Sequence, residues 1–222
     1  MALPSHPIDS ASRRPHRAAS WLAAGVRLAT GIRVRWDGCE PEAKQRIYFA
    51  NHTSHLDAVV LWGALPAPIR ARTRPVAGRD YWERGTLRRW LSRSVFRVVL
   101  VDRGANDGTS KVVAARGAID ALVEALHGGD SLIVFPEGTR GDGGEVGPFK
   151  SGIYHLAAKV PGIELVPAYM ENLNRILPKG EVFPVPLLGS IVFGPPLLLE
   201  DGEDKTAFVA RTRASVERLR SG

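Results

Sequence analysis

The chain has 222 residues, of which 44% are hydrophobic and 24% are charged. This length and composition can bury a full core and exclude an intrinsically disordered chain, and they indicate one domain. The single cysteine, Cys39, excludes an internal disulfide framework and fits a reducing compartment.

The first elements are a polar arm and a short apolar helix. Residues 1–17 predict a mobile arm without the pattern of a secretory signal. The stretch from 18 to 34 contains Arg27 and Arg33 and is shorter than the ~20 apolar residues of a spanning helix. Two interpretations remain open: a helix packed on the domain, or one lying in a membrane interface with Trp21 at headgroup depth.

Apolar strand-like runs then alternate with helical patterns to the end of the chain. Strands are predicted at 32–38, 46–51, 96–102, 131–135, 163–170 and 189–197, and helices at 57–65, 110–129, 150–160 and 206–220. This alternation predicts an α/β domain with a central, mostly parallel or mixed sheet flanked by helices.

The net charge of +7 is concentrated in one segment. Residues 70–103 carry ten arginines against Asp80, Glu83 and Asp102, a surplus equal to that of the whole chain. Within it, the run 87–100 interleaves arginines with Leu87, Trp90, Leu91 and Phe96. A solvated helix face, nucleic acid and an anionic membrane surface remain possible, and the last is favoured. We therefore expect membrane-docking helices at about 18–34 and 79–96 and no nucleic-acid partner.

The densest polar motif is NHTSHLD, which begins at Asn51. His52, His55 and Asp57 could ligate a metal, but the remaining histidines offer no further ligands at a suitable spacing, so no metal is expected. Ser54 lies between the two histidines without the G-x-S-x-G turn of a nucleophilic serine.

A histidine base with an orienting carboxylate is therefore the favoured interpretation of this motif. On one helix, His52 and Asp57 would lie about 140° apart and could not meet. With His52 at the strand end and Asp57 in the first turn of the next helix, they meet across the corner. Asp57 would then fix the histidine tautomer and leave the other ring nitrogen as a general base. His55 is expected to be structural.

An anion-binding motif follows another predicted strand. The run FPEGTR places Glu137, Gly138, Thr139 and Arg140 in a loop, where a guanidinium can bind a phosphate by two hydrogen bonds. Arg103 offers a second guanidinium after the strand that ends near Asp102. The later run GDGGEVGPFKSG fails the P-loop pattern, because Phe149 precedes Lys150. Loops leaving the carboxyl ends of strands cluster in such sheets, so these motifs are expected to be neighbours.

These motifs resemble those of the glycerolipid acyltransferases. NHTSHLD matches the H-x4-D motif of that family, and FPEGTR matches its third motif without a change. LVDR and VPAY resemble its second and fourth motifs in the right order. The similarity to the lysophosphatidic acid acyltransferase branch extends from about residue 31 to 196. One departure is Gly78-Arg79, where family members often carry a lysine.

The resemblance implies acyl transfer from acyl-CoA or acyl-carrier protein to the free hydroxyl of lysophosphatidic acid, which gives phosphatidic acid for phospholipid synthesis, without cofactor or metal. His52 would deprotonate the hydroxyl, Asp57 would orient it, and Arg103, Glu137, Gly138, Thr139 and Arg140 would bind the acceptor phosphate. Backbone amides at the helix start are candidate oxyanion donors. The expected location is the cytoplasmic face of the cell membrane. The alternatives are another lysophospholipid or a lipid amine as acceptor, a metal-dependent hydrolase and a non-enzymatic basic protein.

Overall fold

The computed structural model of the protein describes residues 17–54, 56–83, 85–102, 110–171 and 189–220. The expected arm at 1–17 lies outside these residues except for its last position, as do Arg103 and His55. The described helices are α1 (Arg17–Thr30), α2 (Asp57–Ala64), α3 (Ala67–Arg70), α4 (Arg79–Trp82), α5 (Thr86–Trp90), α6 (Lys111–His127), α7 (Gly152–Lys159) and α8 (Lys205–Arg220). The described strands are β1 (Arg33–Trp36), β2 (Arg46–Ala50), β3 (Thr73–Gly78), β4 (Val99–Val101), β5 (Ser131–Val134), β6 (Glu164–Glu171) and β7 (Ser190–Phe193).

The described strands form one sheet in the order β1-β7-β6-β2-β5-β3-β4. Five of them, from β6 to β4, run parallel, whereas β7 is antiparallel to β6 and pairs in parallel with β1. The predicted α/β class with a mostly parallel or mixed sheet is confirmed. The carboxyl ends of the five parallel strands therefore lie along one edge of the sheet, where the loops that carry the motifs leave it.

Helices cover both faces of the sheet, and the central strand β2 contacts both layers. Its Tyr48 and Ala50 pack with the α1 and α2 layer, whereas Ile47 and Phe49 pack with α6, α7 and α8. All four are fully buried, because successive side chains of a strand point to opposite faces. Such a strand reads as a continuous apolar run, which is why RIYFA was recognised as a strand from the sequence.

Helix α1 packs on α2 through its small residues and through one arginine. Ala19 and Ala23 are buried, and a side chain on Gly63 would meet Val26 at 3.3 Å. Arg27 donates from Nε to the Gly63 carbonyl at 2.8 Å and from Nη2 to the Ala64 carbonyl at 2.7 Å. The charge that interrupts the apolar stretch thus caps the carboxyl end of α2. No helix within the described ranges is long and apolar enough to cross a bilayer.

Strand β3 was missed when the strands were assigned from the pattern of apolar residues. It contains Pro75 and lies between two arginines, so it lacks the apolar run that marked the other strands. Pro75 is tolerated because β3 pairs with β5 over 73–75 and with β4 over 76–78, so its partner changes at the proline.

The arginine-rich segment expected to be helical at about 79–96 is not one regular helix. The segment consists of α4, α5 and a π-helical turn at Leu91–Val95, and Gly85 with φ of +85° precedes α5. Leu87 and Trp90 are exposed, but Phe96 is buried because its ring packs against Trp62 and Trp82. Only part of the expected apolar face therefore reaches the surface.

The arginines of the 70–103 segment do not form one basic face. Arg74 and Arg97 both pair with Asp130. Arg70 is buried and donates to the Leu65 carbonyl at 2.9 Å, and burial lowers its pKa. Several of these arginines therefore make contacts within the fold and do not add to a basic surface. In the described part of the segment, Arg88, Arg89 and Arg93 are exposed near Trp90.

Candidate active site

The site begins where β2 ends, at the corner between that strand and α2. His52 Nδ1 lies 2.9 Å from Asp57 Oδ2, across the corner that the sequence predicted. The side chain of Asp57 is 0% exposed and that of His52 is 16% exposed. A buried carboxylate that accepts from Nδ1–H leaves Nε2 unprotonated in the neutral ring, which is the state a general base requires.

The carboxylate of Asp57 is held by the backbone of the corner as well as by the histidine. Oδ2 accepts hydrogen bonds from the amides of Thr53 at 2.6 Å and Ser54 at 2.8 Å. Asp57 is also the first residue of α2, where the helix dipole favours an anion. These interactions fix the orientation of the carboxylate before any substrate binds.

The imidazole is fixed from its face by an aromatic ring. The rings of His52 and Phe135 stack with centroids 4.4 Å apart and planes 22° apart. Phe135 directly follows β5, so the stacking joins two neighbouring strand ends. Nε2 has no hydrogen-bond partner among the residues that the structure describes, and it is the ring nitrogen left to meet a substrate.

Glu137 supports the backbone of His52. Its side chain is buried, and Oε1 accepts from the His52 amide at 2.9 Å. Burial raises the pKa of this carboxyl group, and hydrogen bonds from the His52 and Gly147 amides oppose that rise. The His52 carbonyl accepts from the Gly141 amide at 2.8 Å, so the loop after β5 holds His52 on both sides.

A further buried side chain, Asn51, was not selected from the sequence. Its Nδ2 donates to the Met170 carbonyl at 2.9 Å, and its Oδ1 accepts from the Met170 amide at 2.8 Å. These two hydrogen bonds extend the pairing of β2 with β6 by one residue, and they fix the backbone directly before His52. The position of Asn51 directly before His52 was the one available signal.

The other residues predicted to bind phosphate differ in their surroundings. Gly138 has φ of +69°, which favours glycine, and Thr139 and Arg140 are exposed on the same turn. No hydrogen bond or ion pair joins the Arg140 side chain to another described residue. Arg103 lies outside the described residues.

Arg79, which stands where family members often have lysine, is engaged by two carboxylates. Its Nε donates to Asp102 at 2.9 Å and its Nη1 to Glu83 at 3.1 Å, and these contacts raise its pKa. The group is exposed, so each pair contributes little to stability. Its guanidinium is directed to protein carboxylates and not into the corner at His52.

Two alternative chemistries at this corner are a serine nucleophile and a metal site. The Ser54 hydroxyl oxygen accepts from the Leu56 amide at 3.3 Å, which uses it within the turn. Across the described ranges, no group of three or more histidine, cysteine, aspartate or glutamate side chains is placed to hold a metal ion.

The amides at the start of α2 are mostly occupied. Those of Thr53 and Ser54 donate to Asp57, and that of Asp57 donates to the Ser54 carbonyl at 3.3 Å. These three amides are therefore engaged within the corner itself.

Comparison with known proteins identifies relatives of the chain. The sequence profile of the family described as Acyltransferase matches residues 32–171. The 1-acyl-sn-glycerol-3-phosphate acyltransferase of Limnanthes douglasii is 28% identical over 179 residues, covering 77% of this chain and 57% of that protein. The 1-acyl-sn-glycerol-3-phosphate acyltransferase alpha of Homo sapiens is 30% identical over 160 residues, covering 70% of this chain and 52% of that protein.

A more similar plant sequence and a solved structure agree with these matches. The chloroplastic 1-acyl-sn-glycerol-3-phosphate acyltransferase LPAT1 of Arabidopsis thaliana is 40% identical over 183 residues, covering 78% of this chain and 46% of that protein. The chain thus spans about half the length of the curated relatives it matches. The crystal structure of the 1-acyl-sn-glycerophosphate (LPA) acyltransferase PlsC from Thermotoga maritima has a TM-score of 0.64 and 22% identity, covering 92% of this chain and 79% of that chain. This last likeness concerns the fold.

Proposed function

The chain belongs to the acyltransferase family, and on that premise we propose that it makes phosphatidic acid from lysophosphatidic acid. The reaction would move a fatty acyl group from an acyl thioester to the free hydroxyl of 1-acylglycerol 3-phosphate. The relatives named above support this acceptor, because their names specify it.

One observation carries the proposal: the buried Asp57 carboxylate holds His52 in the geometry of a general base. His52 Nε2 would take the proton of the acceptor hydroxyl as its oxygen attacks the thioester carbonyl carbon. The tetrahedral intermediate would collapse with loss of the thiolate, which takes the proton back from the imidazolium. An ester and a thiol result, and no bond to the protein forms. General-base assistance contributes about 10²–10⁴-fold.

The loop after β5 would bind the acceptor. Arg140 and Thr139 are exposed beside the corner and are suited to a phosphate. Arg103 stays a proposed phosphate contact by its position in the motif. We assign Glu137 a different role from the one the resemblance implied. Its carboxylate accepts from backbone amides, so it would position His52 and not touch the phosphate.

The acyl donor would be acyl-CoA or acyl-carrier protein. Either carries a thioester whose carbonyl is already activated, so the proposed reaction needs no metal and no organic cofactor. Positioning the two substrates against each other would supply much of the remaining acceleration.

Substrates of this kind lie in a bilayer, and the protein offers an apolar surface on α1. Trp21 is 77% exposed and Leu28 is 87% exposed on the outer face of this helix, away from α2. Leu87 and Trp90 on α5 are exposed among arginines. These surfaces would dock on an anionic membrane, which we place at the cytoplasmic face of the cell membrane.

The proposal is tested by following thiol release from palmitoyl-CoA with the purified protein, with and without 1-acylglycerol 3-phosphate. Acceptor-dependent release that falls at least ~100-fold in His52→Ala is expected. Release that needs no acceptor would identify a thioesterase. Repeating the assay with acyl-carrier protein and with other lysophospholipids separates the donors and acceptors. Acceptor-dependent release that His52→Ala leaves unchanged would remove His52 from the mechanism.

A further inference from the structure

Lys150 reaches back across the anion-binding turn from the far end of the following loop. Its side chain lies directly over Gly138. A β-carbon at position 138 would lie 2.9 Å from Lys150 Cε and would collide with the ammonium group as well. The φ of +69° favours glycine at position 138, and the lysine side chain lies in the space that a β-carbon there would enter.

The backbone of the loop fixes the place from which Lys150 extends. The Lys150 amide donates to the Pro136 carbonyl at 2.9 Å, which closes the loop onto the end of β5. Arg213 of α8 donates to the Val146 carbonyl at 2.8 Å and holds the middle of the loop. Lys150 is thus anchored at its main chain, and only its flexible side chain needs to be ordered by a ligand.

The ammonium and the Arg140 guanidinium have no counter-ion in the described part of the chain. No hydrogen bond or ion pair joins either side chain to another described residue. Of the acidic side chains in the same loop, Asp142 accepts from the Gly144 amide at 2.9 Å, and Glu137 faces inward to the amides of His52 and Gly147. One cation next to the turn and a second that reaches over it, beside a Glu137 carboxylate that is turned away from them, leave a place for an external anion.

We propose that Lys150 is an additional binding residue for the phosphate monoester of the acceptor, acting with Arg140 across Gly138. The inference rests on the proposed function and extends it to a residue outside the matched motifs. A lysine supplies a point charge with three donors and an arginine supplies a planar fork, a combination suited to a dianion. The same chemistry could bind the phosphates of coenzyme A, so the experiment has to separate these two sources.

The test measures binding and does not depend on turnover. Calorimetry with the wild type and Lys150→Met would use the short-chain, monomeric 1-hexanoylglycerol 3-phosphate in one series and coenzyme A in the other. The charge-preserving control is Lys150→Arg. The matched control is Lys205→Met, which changes an exposed lysine at the start of α8. The chain that leads to α8 pairs with Leu165 near the start of β6, at the end of the sheet opposite to the candidate site.

We expect Lys150→Met to raise the dissociation constant of 1-hexanoylglycerol 3-phosphate about tenfold or more, from loss of a hydrogen bond between charged groups. Coenzyme A binding should stay within about twofold, Lys150→Arg should recover part of the affinity, and Lys205→Met should change neither ligand. An unchanged constant for the lysophosphatidate, an effect on coenzyme A alone, an equal effect on both ligands, or no binding by the wild type would each overturn the assignment. Wild-type protein that binds the lysophosphatidate but transfers no acyl group would refute the proposed reaction, while the constants still decide the role of Lys150.

Discussion

The two functions of the Asp57 carboxylate can be separated by two substitutions. Asp57→Asn keeps an oxygen that can accept from His52, Thr53 and Ser54, but it removes the negative charge that stabilises the imidazolium. Asp57→Ala removes both the charge and the acceptor. The two variants should therefore agree in activity and differ in stability.

The size of the difference follows from the hydrogen bonds at Oδ2. In the alanine variant the amides of Thr53 and Ser54 lose their acceptor, and each unsatisfied donor costs about 1–3 kcal/mol when buried. The gross loss relative to the asparagine variant is therefore about 2–6 kcal/mol, and relief from burying the polar carboxamide moves the net difference to the lower part of that range. Against a typical unfolding free energy of about 5–15 kcal/mol, urea denaturation will resolve it.

Thiol release should fall by about 10²–10⁴-fold in both variants. Asp57→Asn with a kcat within about threefold of the wild type would refute the role of the pair. Equal unfolding free energies for the asparagine and alanine variants would refute the hydrogen-bond accounting while leaving the catalytic assignment intact. Far-ultraviolet circular dichroism identifies any variant that loses activity only through unfolding.

Two other perturbations address Glu137 and the exposed surface of α1. The pKa of Glu137 is raised above its usual 4.5 by burial, so the stability that it contributes is fully present below that value and is lost as the pH rises through the folded pKa. Relative to Glu137→Gln, the wild type should therefore lose unfolding free energy as the pH rises from about 4 towards 7. Urea denaturation of both proteins across that range measures this. An unfolding free energy that rises with pH in the wild type relative to Glu137→Gln would contradict the argument. Trp21→Glu should weaken binding to anionic vesicles at least about tenfold in sedimentation, because a large exposed apolar side chain is lost from the docking surface. Leu198→Glu should not, because this residue is 48% exposed and its neighbours Leu197 and Leu199 pack in the layer of α6, α7 and α8, on the other face of the sheet from α1. Equal loss in both variants would show that α1 is not a specific docking surface.

The parts of the fold that were predictable are those where local pattern and tertiary role coincide. The mostly apolar β2 and the long α6 are visible in the sequence, because burial on both faces or on one face leaves a regular pattern. Strand β3 has no such pattern, since its pairing changes partner at Pro75. For the arginines of residues 70–103, the sequence shows only a surplus of positive charge. Their division between Asp130 and the surface depends on contacts far along the chain.

The site was predictable to the extent that its geometry is local. His52 and Asp57 are separated by one corner, so a helix-geometry argument was enough to place them together. The inward direction of Glu137 and the approach of Lys150 to Gly138 depend on how the loop after β5 folds back on itself. The glycine-rich run before Lys150 shows in the sequence only that it is no P-loop, and no local pattern in it indicates that Lys150 lies against Gly138.

The chemistry of the third motif follows from what holds His52. Its amide needs an acceptor and its carbonyl needs a donor, and the loop supplies Glu137 for the first and the Gly141 amide for the second. The same carboxylate also faces the Gly147 amide, where a β-carbon would lie 2.6 Å from Oε2. A carboxylate offers two acceptor oxygens to these two amide donors, whereas a carboxamide offers one oxygen and an NH2 group that itself donates. A glutamate here therefore joins the loop that would carry the phosphate to the backbone of the base, so binding and proton transfer would share one rigid support.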